Sequence, residues 1–218
     1  MQSDDLQRPV TPDHLRRALG LAPFDGRAAQ RLVEPVRRGD PPVHARTSEP
    51  RRAGALAYVY EQGGRLCLPL TVRRPDLPEH KGQVSLPGGR PLPDEALWTT
   101  ALREAHEEIG LDVTRFDGNG VERLGELAPV FIPVTHTWLH VHVVLGPHPG
   151  ELEPCPREVD RIVVVRVDDL VDPSRLQQRR ITIGNVPIDV PYFDVEGLFL
   201  WGATAMAVAE LVERLRAA

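Results

Sequence analysis

The chain has 218 residues, enough for one domain with a substantial core. Its 26 Lys and Arg against 31 Asp and Glu leave a net charge of −5, without the concentrated basic surface that a general nucleic-acid binder needs. Two cysteines are too few for a disulfide framework or a zinc pattern, and no apolar run reaches the length of a membrane span. The N-terminal MQSDDLQRPV lacks the basic-then-apolar pattern of a secretory signal, so the expected location is cytoplasmic.

Thr11 followed by Pro12 predicts a short capped helix that stops near Gly20. A second helix is expected over 26–34, capped by Asp25, with a basic, proline-containing connection over 37–52. Residues 1–50 thus read as a helical extension and connection, and 51–218 as the main domain. AGALAYVY (53–60) reads as a buried strand, Gly63-Gly64 as a turn, and Arg65–Thr71 as a second strand in which Pro69 favours an edge or irregular position. Cys67 belongs to that apolar stretch as core packing. Cys155, between prolines, reads as a free loop thiol.

A charged loop over 73–83 leads through a short VSL strand into Pro87-Gly88-Gly89. Asp94 is the expected cap of the next helix. Leu97, Ala101, Ala105 and Ile109 recur every four residues as its buried stripe, and Gly110 ends it. Strands are expected near 121–128, 137–145 and 159–167, one more strand or an ordered loop over 181–193, and an apolar helix over 202–216. The order predicts a mixed sheet between helical layers, an α/β fold.

The informative segment is GRPLPDEALWTTALREAHEEIGL, residues 89–111. At about 100° per residue, Glu104, Glu107 and Glu108 occupy an arc of roughly 100° beside the apolar stripe. Their mutual repulsion needs an offset, and an oxygen-binding cation such as Mg²⁺ or Mn²⁺ supplies one while leaving positions for water and substrate phosphate. The matching chemistry is attack by water on a phosphoanhydride. Glu107 and Glu108 are the leading candidate ligands, Glu104 is a ligand or orients the water, and the Gly89 carbonyl is a further candidate. Glu95 and Arg103, two helical turns apart, read as a structural brace, with phosphate contact by Arg103 as the alternative. The competing reading of the whole segment is a solvated, charged helix face.

The same residues match the Nudix box: Gly89, Glu95, Arg103-Glu104, Glu107-Glu108, Gly110 and Leu111, with the smaller Ala105 at the first aliphatic position. The resemblance implies a Nudix α/β/α sandwich with a mixed β-sheet. It also implies hydrolysis of a nucleoside diphosphate linked to another group, with a divalent metal held by Glu104, Glu107 and Glu108. A second stretch, LTVRRPDLPEHKGQVSLPGG (70–89), resembles the leader of the coenzyme A pyrophosphatase branch at Arg73, His80, Gly82-Gln83 and Ser85. Trp201–Ala205 is similar to that branch's C-terminal helix start. The branch reaction splits coenzyme A or acyl-coenzyme A into 3′,5′-ADP and (acyl-)4′-phosphopantetheine. Leu86 before the glycine turn and Thr135-His136-Thr137-Trp138 depart from the branch pattern, which leaves ADP-ribose, an ADP-sugar or a dinucleotide as alternative substrates.

Glu158-Val159 resembles the branch's Glu-Val pair, which makes Glu158 the candidate glutamate from outside the box, against an exposed loop acid. Arg73, Arg74 and Lys81 are candidate phosphate contacts. His80, Gln83 and Ser85 either touch substrate or order the loop. His136, His140 and His142 read as pocket lining or surface rather than a metal site, and Trp138 as core packing or an adenine stack. The N-terminal residues are candidates for completing a homodimer or covering substrate. The different-class alternative is a ligand-sensing domain without useful catalysis, which the complete glutamate set opposes.

Overall fold

The computed structural model describes residues 9–37, 49–77, 82–116, 120–183 and 186–218. Two short helices, α1 (Pro12–Gly20) and α2 (Gly26–Arg31), precede β1 (Val36–Arg37), β2 (Arg51–Gln62) and β3 (Arg65–Arg73). The two-residue strands β4 (Val84–Ser85) and β5 (Gly88–Gly89) lead into α3 (Leu97–Ile109). Next come β6 (Glu122–Glu126), β7 (Val130–Ile132), β8 (Thr137–Gly146), β9 (Val159–Arg166) and α4 (Val167–Val171). The chain closes with β10 (Leu176–Ile183), β11 (Val186–Val195), β12 (Leu198–Leu200) and α5 (Gly202–Ala217). Among the described residues no helix is long and apolar enough to cross a membrane.

The main sheet runs β4-β3-β2-β8-β6, with β5 added to β2, β7 to β8 and β9 to β3. Its centre is the parallel pair β2–β8, from Arg51 opposite Thr137 to Tyr60 opposite Gly146, and its other pairings are antiparallel. A central strand covered on both faces needs apolar side chains at successive positions, which is why β2 is a continuous apolar run. Alternation then sorts it. Ala55, Ala57 and Val59 join the core under α1 and α5, while Leu56, Tyr58 and Tyr60 join the core under α3 with Ala101, Ala105 and Ile109. The expected α/β/α layering is therefore present.

Thr11 caps α1 by accepting from the His14 N–H, and Asp25 caps α2 by accepting from Ala28. α2 stops at Arg31, short of the expected 34, because Glu34 precedes Pro35 and a pre-proline residue disfavours the helical region. Pro69 lies past the β2–β3 ladder, which ends at Cys67, so it pairs only with Val164 of β9 on the other side. Asp94 is not the cap of α3. It adopts φ 61°, the N-cap is Ala96 without a side-chain bond, and Glu95 instead accepts from the Leu92 N–H at 2.9 Å and the Thr100 hydroxyl at 2.9 Å.

The tail differs most from expectation. Where one strand or a loop is expected over 181–193, β10 and β11 form a long hairpin, and β1 and β12 pair with the far side of β11 as a second, four-stranded sheet. Leu15, Ala18 and Val33 from the N-terminal segment share the core with Val208, Leu211 and Leu215 of α5. A buried polar knot ties them. Glu210, fully buried, accepts from Arg214 Nε at 3.0 Å, Gln30 Nε2 at 3.0 Å and the Ala128 N–H at 2.9 Å. Replacing Glu210 by Ala leaves Arg214 Nε and the Ala128 N–H without their acceptor and is expected to destabilise the fold by about 3–5 kcal/mol, since stripping one partner from a buried ion pair strands the other. Urea unfolding of the Glu210→Ala variant checks this, and a midpoint equal to wild type contradicts it.

Candidate active site

The site is built at the C-terminal half of α3. Small residues let that helix lie close to the sheet. At Gly54 of β2 a Cβ would fall 2.3 Å from the Leu97 carbonyl oxygen, and at Gly88 one would fall 2.6 Å from the Gly54 oxygen. The Gly88-Gly89 turn is thereby pressed between β2 and the helix. The carboxylate of Glu104 lies against Gly89, and the Gly88 N–H donates to Glu108 Oε2 at 3.3 Å.

Arg103 organises the acidic face. Its Nε and one terminal nitrogen bind Glu95 in a fork at 3.0 and 3.1 Å. The other terminal nitrogen donates to Glu104 at 2.8 Å and Glu107 at 3.1 Å, and the Arg90 carbonyl accepts at 3.0 Å. All five guanidinium donors are thus engaged, which leaves none for a phosphate. The Arg103 pairing holds the Glu95 carboxyl far below the ordinary range, at about 2, helped by the Leu92 N–H and Thr100.

The second wall comes from the loop before β9. The helix end leaves carbonyls unpaired. Glu153 donates to the Ile109 oxygen at 3.1 Å and Cys155 to the Glu108 oxygen at 2.8 Å, while Gly110, at φ 69°, reverses the chain. This brings Cys155, Arg157 and Glu158 over Glu104, Glu107 and Glu108, and the six residues line a cavity of about 120 Å³. Glu158 also lies 3.6 Å from Arg73 at the end of β3. The clustering has an electrostatic signature. Burial pushes the Glu108 carboxyl up to about 8, with the neighbouring Glu104 and Glu158 charges adding to it and the Gly88 N–H and Arg73 opposing. Burial likewise raises Glu104, against the pull of Arg103.

Among the described residues no three His, Cys, Asp or Glu side chains stand grouped so as to hold a metal ion without adjustment. Glu104 and Glu107 point to Arg103. The donor set is nonetheless that of a hard divalent cation: carboxylate oxygens gathered on one helix face, with Glu104 and Glu108 raised chiefly by burial, beside a glycine turn whose backbone those two touch.

The other candidates separate. The Arg73 N–H donates to the Gln83 carbonyl at 2.9 Å, continuing the β3–β4 ladder, and the Ser85 hydroxyl meets the Thr71 hydroxyl at 2.9 Å within it. His80 and Lys81 lie outside the described residues. Arg74 forks onto Asp76 and also donates to the Pro156 carbonyl. His140 binds Glu126 at 2.6 Å and His142 is buried against Trp98, and neither lines the carboxylate cavity. His136 sits at φ 53° in the turn before β8, beside Phe131. Trp138 packs between Phe131 and the Arg27 guanidinium. Sequence reasoning passed over Arg157, for which position next to Glu158 was the available signal.

A family model described as the NUDIX domain matches residues 50–183. The chain belongs to the Nudix family. A Yersinia pestis (strain Pestoides F) relative, described as the uncharacterized Nudix hydrolase NudL, is 30% identical over 173 residues, covering 76% of this chain and 80% of the relative. The fold resembles the crystal structure of the M. Smegmatis Nudix hydrolase RenU, with TM-score 0.50 and 19% identity over 79% of this chain and 89% of that one. A MutT/nudix family protein from Enterococcus faecalis also matches, with TM-score 0.50 and 12% identity over 96% of this chain and 76% of that one. Membership makes this chain a Nudix-type hydrolase, a pyrophosphohydrolase of nucleotide-type small molecules with the divalent-metal dependence typical of the family.

The raised Glu108 carboxyl gives cation binding a pH dependence. Protonated Glu108 must lose its proton to ligate a cation, so Mn²⁺ affinity is expected to climb as pH rises toward about 8 and then level. In the cation-free protein the same shift acts oppositely. The fold retains the proton longer than the unfolded chain does, so stability declines as pH rises from the ordinary carboxylate value toward about 8. Calorimetric Mn²⁺ titrations at several pH values check this. A flat profile, or one that Glu108→Gln leaves unchanged, contradicts it.

Proposed function

We propose that this Nudix hydrolase uses Mg²⁺ or Mn²⁺, held by Glu104, Glu107 and Glu108 with the Gly89 carbonyl, to split a nucleoside diphosphate linked to a second group. The observation that carries the reading is the convergence of three helix glutamates and Glu158 on one cavity beside the glycine turn. A bound divalent ion supplies positive charge to screen the substrate's phosphates and to acidify the attacking water. Glu158, coming from a different element and held near Arg73, is assigned as the group that takes that water's proton. Water oxygen then bonds to one phosphorus, the bridging P–O bond breaks, and the leaving phosphate carries away its electron pair. Arg103 and Glu95 fix the turn and the helix relative to each other.

The cavity is far smaller than the roughly 300–1,000 Å³ of a site that encloses a drug-sized ligand, so it suits the diphosphate and its cations rather than the whole substrate. Selectivity then rests on the rim. The leader over 70–89 supports coenzyme A or acyl-coenzyme A, giving 3′,5′-ADP and (acyl-)4′-phosphopantetheine, and Arg73 of that leader stands beside Glu158. The second reading is ADP-ribose, an ADP-sugar or a dinucleotide. The Thr135–Trp138 stretch supports it, because it departs from the coenzyme A pattern. The comparisons reach the level of a nucleotide or dinucleotide substrate and so back this second reading better than the coenzyme A one.

Turnover of coenzyme A, acetyl-coenzyme A, ADP-ribose, NADH and diadenosine polyphosphates with Mg²⁺ and Mn²⁺, with products identified by mass spectrometry, tests the reading. Release of 3′,5′-ADP from coenzyme A in preference to cleavage of the others is expected, abolished by Glu107→Gln and Glu108→Gln. Glu158→Gln is expected to lower kcat by roughly 10²-fold. Preference for ADP-ribose or a dinucleotide selects the second reading, and binding without turnover selects a sensing domain.

A further inference from the structure

The cavity that would receive the diphosphate is lined by four glutamates, one thiol and one cation, Arg157. A cation held by the glutamates faces the helix side. The phosphate oxygens turned toward the opposite wall meet the segment 155–158, and there a positive group is required if a dianionic bridge is to lie beside Glu158. The nearby arginines are otherwise engaged. Arg103 has all five donors bound, Arg74 is forked onto Asp76 and bonded to the Pro156 carbonyl, and Arg73 stands at Glu158. Arg157 makes no hydrogen bond or ion pair among the described residues.

Its backbone is nonetheless held in place. Cys155 donates to the Glu108 oxygen at 2.8 Å, Glu158 and Val159 donate to the Cys155 oxygen at 3.1 and 2.9 Å, and Arg74 donates to the Glu158 oxygen at 3.1 Å. The turn is thus fixed to both α3 and the end of β3, while Arg157, which lines the cavity, keeps its guanidinium uncommitted. A planar fork with five donors suits the non-bridging oxygens of a phosphate, where an ammonium offers only a point charge.

We infer that Arg157 is a substrate-binding residue that contacts the non-bridging oxygens of the substrate's diphosphate, opposite the glutamates. The inference rests on the pyrophosphohydrolase reading above and holds for either substrate class.

The test uses the full chain with saturating Mg²⁺. Binding of α,β-methylene-ADP, which cannot be split at that bridge, is measured by calorimetry, and KM and kcat are measured on the substrate that turns over best. Arg157→Ala is expected to weaken probe binding and raise KM roughly 10- to 100-fold, the range for a lost charge-assisted hydrogen bond, with kcat changed far less. Arg157→Lys recovers part of the affinity. Arg161→Ala, which removes an exposed cation paired with Asp160 outside the cavity, leaves KM unchanged. Mn²⁺ binding, read by electron paramagnetic resonance, is retained in Arg157→Ala.

Probe affinity and KM equal to wild type in Arg157→Ala overturn the inference, as does an equal loss in Arg161→Ala, which would mark a general surface potential. Loss of Mn²⁺ binding in Arg157→Ala with no rescue by Lys assigns the residue to the architecture of the turn and also overturns it. Wild-type protein that neither binds the probe nor splits any substrate sinks the pyrophosphohydrolase reading, and this proposal with it.

Discussion

Like-charge repulsion on α3 is the constraint around which the rest of the site is arranged. Glu104, Glu107 and Glu108 project from little more than one turn, and the approach of Glu158 intensifies the field on Glu104 and Glu108. Arg103 answers part of that charge and, through its fork onto Glu95, converts it into a mechanical link between the helix and the segment that follows the glycine turn. The remainder is answered only in part: Glu108 is largely withdrawn from solvent, and the Gly88 N–H and Arg73 oppose that burial and the neighbouring charges without cancelling them. Protein atoms alone thus leave carboxylates incompletely compensated at one defined place, which is the setting a divalent cation would complement.

The layers supply the rigidity needed to keep such charges together. α3 rests on alanines at Ala101 and Ala105, and Gly54 lets the Leu97 carbonyl touch the central strand. A helix held this close cannot rotate to relieve its carboxylates without lifting from the sheet. On the opposite face, Glu210 gathers α2, α5 and the segment before β7 into one unit, so the N-terminal helices share the core that supports β2 from below. The two layers meet through β2, whose alternating side chains serve both.

Legibility in the sequence followed periodicity. The Nudix helix was readable because its acids and its apolar stripe obey a 3.6-residue repeat, and the Glu95–Arg103 brace because its partners sit two turns apart on known elements. β2 was readable as an unbroken apolar run. Asp94 misled because an aspartate before an apolar repeat has the composition of a cap, whereas its left-handed backbone turns it away and Glu95 takes the local N–H instead. The β10–β11 hairpin was hidden because its edge strand reads LQQRRITI and its partner contains Pro187 and Pro191, neither showing a clean alternation. Glu210 looks like a solvent-facing acid of α5 until Gln30 and Ala128, distant in sequence, close over it. Arg157 lies in a proline-rich loop without periodicity, and only the docking of that loop onto the helix end reveals its neighbours.

That docking makes the last turn of α3 and the 153–158 segment one cooperative unit. Carbonyls of Glu108 and Ile109, which an isolated helix would leave to water, are held by Cys155 and Glu153. Fraying of the helix terminus therefore releases the opposing wall, and detachment of the wall exposes the helix terminus. Amide exchange in the two segments should share one opening free energy rather than grade independently along the chain. Partial melting would then dismantle both sides of the cavity at once, leaving the population with either an assembled site or none, and a half-built site that binds but misorients its substrate would be scarce.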